Sequence, residues 1–487
     1  MNANAILVNQ GNSATQALEL QNEYNQVKTV RDLDLSHDGQ ASRFGKQGFN
    51  QGAKYTSLLS EWKFWDGVVW KKDKTQNCRA RIRAFARAEA ELLLKLATAE
   101  AQSMGYAGNE LLNWARTKTR QLKSMANIKA VEVIAQTNQG VPALPEDFDP
   151  DPLLLGTPSV TVDLRTGKMR PARRQDMISR QTNCGPADLS SVPTLWLSFL
   201  ERIFNGDQEI IDFMQRAAGY ALTGMNEEHK FLFLHGSGRN GKSVFLETLR
   251  FVMGDYATTA SSNLLLASKY QKSTEGIAAL RGARFVSASE IPKRATWDES
   301  LLKQLTGGEA VTARFLYQNN LTFVPELTLM IAGNEKPSLE SVDPAMRARF
   351  VLVPFNVQIP EEERDPHLGA KLRAEAPKIL SWMIQGALQW QAHSLAVPEV
   401  IRVASDVYLE EENIIQNFLD DETEVDAASN VPTQGLFSRY QEWCKNQGIQ
   451  PQIKKAFKND LIMLGFRETK PGNCRVINGL RLRSLLP

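Results

Sequence analysis

One eight-residue stretch constrains the fold more than any other feature of the chain. Residues 236–243 read Gly-Ser-Gly-Arg-Asn-Gly-Lys-Ser, which matches the phosphate-binding loop pattern G-x-x-x-x-G-K-[ST]. The stretch follows the apolar run Phe231–His235, which predicts a short buried strand, and it precedes a helix predicted from Ser243 to Val252. A strand, a glycine-rich loop and a helix in this order predict a P-loop fold built on a parallel sheet.

The residue types of this loop indicate its chemistry. Glycines let the backbone curl so that consecutive N–H groups face phosphate oxygens, and the helix N-terminus that follows favours negative charge. We expect Lys242 to neutralise the β- and γ-phosphate oxygens and the Ser243 hydroxyl to bind Mg²⁺. The sequence therefore predicts a site for ATP and Mg²⁺, with nucleotide contacts from Gly236, Ser237, Gly238, Arg239, Asn240, Gly241, Lys242 and Ser243.

Two further apolar runs end in polar residues that suit the same chemistry. Residues 283–290 and 327–334 each predict a strand, and they end at Glu290 and Asn334. We expect Glu290 to activate water and help hold the metal, and Asn334 to position that water. A solvent-exposed strand-end glutamate and a turn asparagine are the structural alternatives. Ser289 stands where many P-loop enzymes carry a first aspartate, which leaves Glu290 as the one acid at this tip.

A pair of arginines precedes a fourth apolar run. Arg347 and Arg349 lie just before residues 351–355, which predict a buried strand. An arginine at this point can reach the γ-phosphate bound by a neighbouring subunit and act as an in-trans finger. Taken alone, either arginine would be assigned to the surface. The catalytic assignment depends on the loop, the acid and the amide that accompany the two arginines within residues 236–349.

The segment between the second and third predicted strands carries the expected DNA contacts. Apolar ends around Gln318–Asn320 predict a β-hairpin over residues 315–323, which could project into a channel. The residues expected to contact DNA are Lys303, Arg314, Tyr317 and Asn319. The tip of the hairpin is neutral, and a purely structural role is the alternative for Arg314.

Composition excludes several classes of protein. A chain of 487 residues predicts about three domains. Its 42% hydrophobic and 23% charged residues are typical of a globular protein and exclude wholesale disorder. No stretch approaches the ~20 apolar residues of a membrane span, and the N-terminus lacks a secretory pattern. We therefore expect no membrane partner and a cytoplasmic location, in a bacterial host if a phage or plasmid encodes the chain.

Charge and cysteine usage limit the partners further. The net charge is only +2, from 57 basic and 55 acidic residues, so nucleic-acid binding requires local basic surface. The four cysteines are far apart in sequence, which favours reduced thiols over a zinc site. Basic residues are concentrated in the segment 79–135, which is predicted to be helical with a break near Gly105 and Gly108. Because Glu89, Glu91 and Glu100 interrupt them, a solvated helix face and a nucleic-acid contact both stay open.

Changes of composition along the chain divide it into predicted segments. Clustered aromatics around Asp66-Gly67 predict a β-hairpin at the start of the first folded domain, with the aromatics in its core or, alternatively, stacking on bases. A second small hairpin is predicted around Thr166-Gly167. The predicted segments are a flexible arm (1–57), an N-terminal α/β domain (58–190), an ATPase domain (191–395), a helical linker (396–430) and a winged-helix-like domain (431–487).

These motifs together resemble those of the superfamily III helicases, and specifically the helicase part of phage and plasmid primase-helicases related to the poxvirus replicative helicase. The similar segments are 200–207, 218–224, 235–243, 287–290, 302–314 and 343–355, and Trp62–Trp70 resembles the domain that precedes the helicase. The resemblance implies an AAA+-type P-loop NTPase core with a parallel sheet, preceded by a mixed α/β collar-type domain and followed by the winged-helix-like domain. It also implies Glu290 as water activator, Asn334 as sensor, and Arg349, or alternatively Arg347, as finger.

The function implied is that of an ATP-dependent helicase in phage, prophage or plasmid replication. Such a protein would form a homo-hexameric ring, move 3′ to 5′ on single-stranded DNA, act on forked DNA and depend on a separate primase or polymerase, since no primase domain is recognisable in the sequence. One alternative is a nucleotide-switched DNA-binding initiator or adaptor that does not unwind, favoured by the single acid and the neutral hairpin tip. A small-molecule kinase is the other, but no lid or acceptor pocket is recognisable.

Overall fold

The computed structural model describes residues 28–268, 272–293, 295–316, 320–339, 342–448 and 451–483. The chain forms two compact units. The first contains the residues up to Val192 together with Phe251–Tyr256 and Ala376–Gln391, and the second contains Pro193–Arg250, Ala257–Glu375 and the residues from Ala392 onward. No helix in the described part of the chain is long and apolar enough to cross a membrane.

The first unit combines helices with two small antiparallel sheets. The helices are α1 (His37–Phe44), α2 (Asn77–Ala101), α3 (Tyr106–Leu122) and α4 (Met125–Ala135), with short helical segments at 45–52. The sheets are β1 (Ala53–Thr56), β2 (Glu61–Trp65) and β3 (Trp70–Lys72), and then β4 (Leu154–Gly156), β5 (Thr161–Asp163) and β6 (Lys168–Arg170). Both predicted hairpins are therefore present, and Trp62 and Phe64 lie in the hydrophobic core as expected.

The prediction of a flexible arm is wrong for residues 28–57, which contain helix α1 and strand β1. Helix α1 begins at an N-cap in which Ser36 Oγ accepts a hydrogen bond from Gly39 N, and strand β1 pairs with β2. The polar composition is misleading because polar side chains are satisfied inside the fold: Gln40 and Asn127 exchange amide hydrogen bonds of 3.1 and 2.8 Å. Residues 1–27 of the arm lie outside the described residues.

The predicted long helical region contains two breaks. The first lies between α2 and α3, where Gly105 has φ +58°, close to the predicted position. The second lies at 123–124 and was not predicted. There Ser124 Oγ accepts from Asn127 N at 3.2 Å and starts α4. A serine N-cap within an otherwise helical pattern was the available signal.

A buried ion pair joins α1 to α2. Arg43 Nε donates to Glu89 Oε1 at 2.8 Å, and both side chains are at least nine-tenths buried. Glu89 is thus an interior residue and not part of the helix surface. Because removing one partner leaves the other charge buried without compensation, such pairs make single substitutions costly.

We expect Glu89→Ala to lower the free energy of unfolding by about 3–5 kcal/mol. The matched control is Lys72→Ala, which breaks the exposed ion pair with Glu61 and should cost less than about 1 kcal/mol. Urea unfolding followed by far-UV circular dichroism measures both. The double variant Glu89→Met, Arg43→Met should recover part of the loss, and equal shifts for Glu89→Ala and Lys72→Ala would contradict the interior assignment.

The second unit is built on a five-stranded parallel sheet. Its strands are β7 (Phe231–His235), β8 (Ala257–Thr259), β9 (Phe285–Ala288), β12 (Thr328–Gly333) and β13 (Phe350–Pro354), in the spatial order β13-β7-β12-β9-β8. Nearly every residue of β7, β9, β12 and β13 is buried, as continuous apolar runs predict for a sheet covered on both faces. All four strands predicted from the sequence are present within about two residues.

Helices and a separate hairpin surround this sheet. The helices are α5 (Thr194–Ile203), α6 (Gln208–Tyr220), α7 (Lys242–Met253, whose last turn belongs to the first unit), α8 (Ser262–Leu265), α9 (Glu275–Ala278), α10 (Glu299–Thr306), α11 (Pro344–Arg349) and α12 (Leu368–Ala374). The hairpin is β10 (Val311–Ala313) with β11 (Leu321–Phe323). Helix α13 (Ala376–His393) lies mainly in the first unit.

The predicted helical linker 396–430 is instead divided between two packed structures. Helix α14 (Glu399–Glu411) packs on the edge strand β13, where Ser405 Oγ accepts a hydrogen bond from Leu352 N and the ring of Tyr408 lies 4.7 Å from that of Phe350. Helix α15 (Ile414–Glu422) supplies Phe418 to the core of the C-terminal region. Both helices bury apolar faces, so neither is a free connector.

The C-terminal region, predicted as a winged-helix-like domain over 431–487, has the element order helix, helix and two paired strands. It contains α16 (Thr433–Gln447), α17 (Lys454–Met463), β15 (Arg467–Thr469) and β16 (Val476–Leu482). A preceding strand, β14 (Thr423–Pro432), completes an antiparallel sheet in the order β14-β16-β15. The sequence missed β14 because its acidic and small residues were assigned to the linker. Assignment of this region as a winged helix stays a prediction.

Candidate nucleotide site

The loop between β7 and α7 has the conformation that its glycines predict. Gly238 and Gly241 have φ of +95° and +85°, which L side chains rarely adopt. A Cβ on Gly241 would also lie 2.6 Å from Ile203 Cγ2, so this glycine is required both by conformation and by space. Arg239 adopts φ +54° without being glycine, which indicates local strain of the kind found at functional sites.

The Lys242 side chain is held in the curve of this loop. Its Nζ donates to Gly236 O at 2.7 Å, to Asn240 Oδ1 at 2.9 Å and to Asn334 Oδ1 at 3.0 Å. Burial lowers the pKa of Lys242 to about 8, because the charged form loses water. Burial also lowers the pKa of the neighbouring His235, with further lowering from Lys336 and Lys242. The Lys242 ammonium is therefore fixed at one end of the site, and its pKa is sensitive to the groups placed next to it.

A segment that follows β13 braces the outside of the loop. Asn240 Nδ2 donates to Phe355 O at 3.0 Å, Gln358 Nε2 donates to Ser237 Oγ at 2.8 Å, and Ile359 N donates to Arg239 O at 3.0 Å. Asn240 is 2% exposed and joins this brace to Lys242 through its other amide atom. Asn240 thus connects Lys242 to the end of β13, the strand that follows helix α11.

We expect Asn240→Ala to raise the KM for ATP about tenfold, since one buried side chain that satisfies two partners is lost and each unsatisfied group costs about 1–3 kcal/mol. The matched control is Ser237→Ala, which removes the exposed contact to Gln358 and should change KM less than about twofold. Steady-state hydrolysis kinetics measure both. An unchanged KM for Asn240→Ala would show that the brace does not position Lys242.

The carboxyl ends of β7, β9 and β12 surround a cleft of about 450 Å³. The predicted residues Lys242, Ser243, Glu290 and Asn334 all line it. This convergence follows from the topology, since parallel neighbours end at the same sheet edge and ligands of open α/β sheets bind there. Glu290 is exposed and has φ +63°, a second strained non-glycine residue at this edge.

The cleft also contains residues that the sequence analysis missed. Glu247 and Arg250 line it from α7, and Glu335 and Lys293 form a 3.6 Å ion pair on its rim. The signal was available for the first two: Ser243, Glu247 and Arg250 are spaced i, i+4 and i+7, which places them on one helix face.

The chemistry of these donors fits a triphosphate with a hard cation. The Ser243 hydroxyl and the Glu290 carboxylate offer oxygen ligands beside a fixed ammonium, and Mg²⁺ usually takes one or two protein oxygens and completes its shell with water and phosphate. The described residues contain no group of three or more His, Cys, Asp or Glu arranged to hold a metal by themselves. This donor set suits a cation shared with bound phosphates.

The two candidate finger arginines differ in their partners. Arg347 Nη1 lies 2.9 Å from Asp406 Oδ1, so an ion pair occupies it. Arg349 Nη1 donates to Ala345 O at 2.9 Å, while its buried Nε has no hydrogen-bond acceptor among the described residues. Neither arginine lines the cleft. Arg347 is therefore engaged within its own chain, whereas Arg349 has no ion-pair partner among the described residues.

The four residues predicted to contact DNA differ in their surroundings. Lys303 Nζ is paired with Asp343 at 2.5 Å and with Glu299 at 3.5 Å, which ties α10 to the N-cap of α11. Arg314 is exposed at the end of β10. Tyr317 and Asn319 lie outside the described residues. Whether any of the four contacts DNA stays a prediction.

The predicted hairpin is present, but its strands differ from the prediction. Its first strand is Val311–Ala313, so Phe315 and Leu316 lie in the connection between the strands. The first strand was predicted too far along the chain because Phe315 and Leu316 are apolar. Alternate residues Val311 and Ala313 face inward and are buried, whereas Leu316 is 65% exposed.

Family comparisons agree with this geometry. The "D5 N terminal like" family model matches residues 42–205, the "Family of unknown function (DUF5906)" model matches 234–349, and the "Poxvirus D5 protein-like" model matches 410–471. The second of these covers the phosphate loop, the strand tips and both arginines. The first and third cover regions on either side of it.

The chain is also similar to curated viral proteins. It is 24% identical over 324 residues to "Putative helicase L207/L206" of Acanthamoeba polyphaga mimivirus, which covers 62% of this chain and 34% of the relative. It is 24% identical over 283 residues to "Putative helicase 022R" of Frog virus 3 (isolate Goorha), which covers 54% of this chain and 29% of the relative. The matched region therefore spans about a third or less of these relatives.

Two solved structures share the fold. Both are apo forms of the NrS-1 C-terminal region: one has a TM-score of 0.50 at 11% identity and covers 90% of this chain and 98% of that one. The other has a TM-score of 0.51 at 10% identity and covers 91% and 99%. At this identity the likeness concerns the fold alone.

The parallel sheet, the glycine loop and the convergent polar tips define a P-loop-type protein. Within that class, the chain is similar to D5-like proteins of the superfamily III helicases. The resemblance found in the sequence is thereby confirmed.

Proposed function

We propose that the chain is an ATP-dependent, Mg²⁺-requiring DNA helicase that acts as a homo-hexameric ring in phage, prophage or plasmid replication. The observation that carries the proposal is the cleft in which Lys242, Ser243, Glu290 and Asn334 converge at one sheet edge. The similarity to viral proteins named as helicases supports DNA as the substrate. The AAA+-type arrangement, the collar and winged-helix roles, and movement 3′ to 5′ belong to the same proposal.

The residues of the cleft have separate tasks in hydrolysis. Lys242 binds the β- and γ-phosphate oxygens, for which it exchanges its present partners Gly236 O and Asn334 Oδ1. Ser243 and Glu290 would hold Mg²⁺, whose charge offsets that of the phosphates. Glu290 also orients the water and accepts its proton, and the amide of Asn334, once released from Lys242, holds that water in line.

The finger explains why a ring is needed. Arg349 does not line the cleft of its own subunit, and it has no ion-pair partner among the described residues. Supplied to the cleft of the next subunit, it would stabilise the charge that develops on the γ-phosphate. Hydrolysis would then be coupled around the ring, and the β10–β11 hairpin is the element proposed to move along single-stranded DNA. A separate primase or polymerase would supply primers.

The experiment that tests the enzyme is hydrolysis of ATP with and without long single-stranded DNA. We expect Mg²⁺-dependent turnover that DNA stimulates, since the motor does useful work only on DNA. The competing function is a nucleotide-switched initiator or adaptor, which the single acid at the β9 tip favours. That protein would bind ATP and turn it over slowly, at the same rate with or without DNA, and such a result would replace the helicase proposal.

A further inference from the structure

The helical part of the first unit is strongly basic. Residues 77–135 contain ten Lys or Arg and five Asp or Glu. The sequence left the role of this surface open because acids interrupt the basic run. In the structure, two of these acids do not interrupt the basic surface. Glu89 is buried against Arg43, and Glu100 Oε2 accepts a hydrogen bond from Val30 N at 2.9 Å. Two of the interrupting acids are therefore committed to internal contacts.

The basic residues converge on a cleft of about 430 Å³. The cleft forms where the start of α2 meets the connection between α3 and α4, and its lining includes Gln76, Arg79, Arg83, Lys123 and Met125. Arg79 Nε donates to Glu132 at 2.7 Å and its Nη1 donates to Gln76 at 2.9 Å, which fixes this guanidinium in the wall. The cleft thus has one anchored cation and two further cations.

The two further cations, Arg83 and Lys123, are exposed to solvent. Within the described residues, neither side chain has an ion pair or a hydrogen bond. Cationic side chains that line the same concave site repel each other, and a bound anion removes this repulsion. The cleft is therefore complementary to negative charge.

The basic surface continues beyond the cleft in two stripes. Arg79, Arg83 and Arg87 are spaced i, i+4 and i+8 on α2. The second stripe has Arg116 and Arg120 on α3 and Lys123 directly after its last residue, at the spacing i, i+4 and i+7. Each stripe contributes at least one residue to the cleft, and α2 packs against α3. At 1.5 Å per residue, the α2 stripe is about 12 Å long. This shape suits an extended polyanion better than a single small anion.

We propose that this basic cleft binds the phosphate backbone of single-stranded DNA, as a DNA site separate from the ATPase core. Met125, which is 59% exposed, gives the cleft an apolar wall next to the cations. Unpaired bases and sugars can pack on such a wall, whereas paired bases in a duplex are covered, so the single strand is the favoured ligand. The inference rests on the proposed function for the choice of DNA over other polyanions.

The test measures binding of a fluorescein-labelled 30-nucleotide oligo-dT to the full chain by anisotropy, at 50 and 200 mM salt. The variant is Arg83→Ala with Lys123→Ala. The matched control, Lys95→Ala with Lys168→Ala, removes the same charge from exposed lysines of the same unit that do not line the cleft. All four side chains are exposed, so the fold should be retained, and circular dichroism verifies it.

We expect the variant to bind about tenfold or more weakly at 50 mM salt. Each phosphate that the variant no longer neutralises should lower the slope of log affinity against log salt by about 0.7, so its deficit should shrink about sevenfold by 200 mM. The control should match the wild type within about twofold. An unlabelled duplex should compete more weakly than an unlabelled single strand.

Equal binding by the variant and the wild type would overturn the proposal, and so would an equal loss in the control, because both show that these cations make no special contact. If poly-glutamate competes through the cleft while affinity for oligo-dT is unchanged in the variant, the cleft takes an acidic protein segment instead. Failure of the proposed function is separate: a wild type that does not hydrolyse ATP, with a variant that still loses DNA binding, would leave the DNA site standing.

Discussion

Arg349→Ala is expected to lower kcat for ATP hydrolysis by about 10³–10⁵-fold, the range found for arginine fingers, while ATP binding changes only a few fold. The effect is large because the guanidinium acts on charge that develops only in the transition state. Binding is retained because Arg349 does not line the cleft of its own subunit. Hydrolysis kinetics and equilibrium binding of a fluorescent ATP analogue measure the two quantities.

The control for this substitution is Arg347→Ala on the same helix. Its guanidinium is paired with Asp406, so its loss should change kcat less than about threefold. Equal losses for the two variants would indicate damage to α11 and not loss of a finger. Normal turnover by Arg349→Ala would remove it from the catalytic assignment.

A mixing experiment tests whether the finger acts in trans. Subunits with Lys242→Ala lack a working cleft but present Arg349, and subunits with Arg349→Ala have the reverse defect. If sites are shared between subunits, a mixture should contain some interfaces with both groups and should regain part of the hydrolysis that each variant lacks alone. No recovery at any ratio would show that each site is complete within one chain.

Lys242→Ala is expected to lower kcat by about 10²–10³-fold and to weaken ATP binding as well. This ammonium lies in the curve of the phosphate loop, with three oxygen partners holding it in place. The control is Lys293→Ala, since Lys293 also lines the cleft but its side chain is 84% exposed and it pairs only loosely with Glu335. Similar losses in both variants would contradict a special role for Lys242.

The same lysine should give ATP binding a distinctive pH dependence. Burial lowers its pKa to about 8 in the free protein, whereas bound phosphates favour the charged form and raise the pKa. Below pH 8 the ammonium is already charged and the Kd should be flat with respect to this group. Above pH 8 binding requires uptake of a proton, so the Kd should rise by up to about tenfold per pH unit. Lys242→Ala should abolish this rise, and a rise that persists would have to come from another group.

The parts of the fold that sequence predicts best are those with strong local signals. The P-loop pattern, the apolar strands and the polar residues at their ends all depend on local sequence, and the parallel topology then brings Glu290 and Asn334 to Lys242. Glu247 and Arg250 could also have been found, since their spacing from Ser243 places them on one helix face. Nothing local showed that Asn240 would join Lys242 to Phe355, because that contact links residues 115 positions apart.

The wrong predictions concern segments whose structure depends on residues far away in the sequence. Residues 28–57 look like an arm because their polar groups are numerous, yet Gln40 is satisfied by Asn127 across 87 positions. Strand β14 looks like a linker because its partner, β16, lies some fifty residues later in the chain. Both errors arise where distant residues, and not local preference, decide whether a segment is ordered.

The decisive measurement for a helicase is strand displacement from forked duplexes that carry only a 3′ or only a 5′ single-stranded tail, in the presence of ATP and Mg²⁺. Lys242→Ala protein is the control for displacement without hydrolysis. We expect displacement from the 3′-tailed fork by the wild type and none by the control. ATP binding with no displacement from either fork would contradict the helicase assignment, and displacement from the 5′-tailed fork alone would contradict the proposed direction.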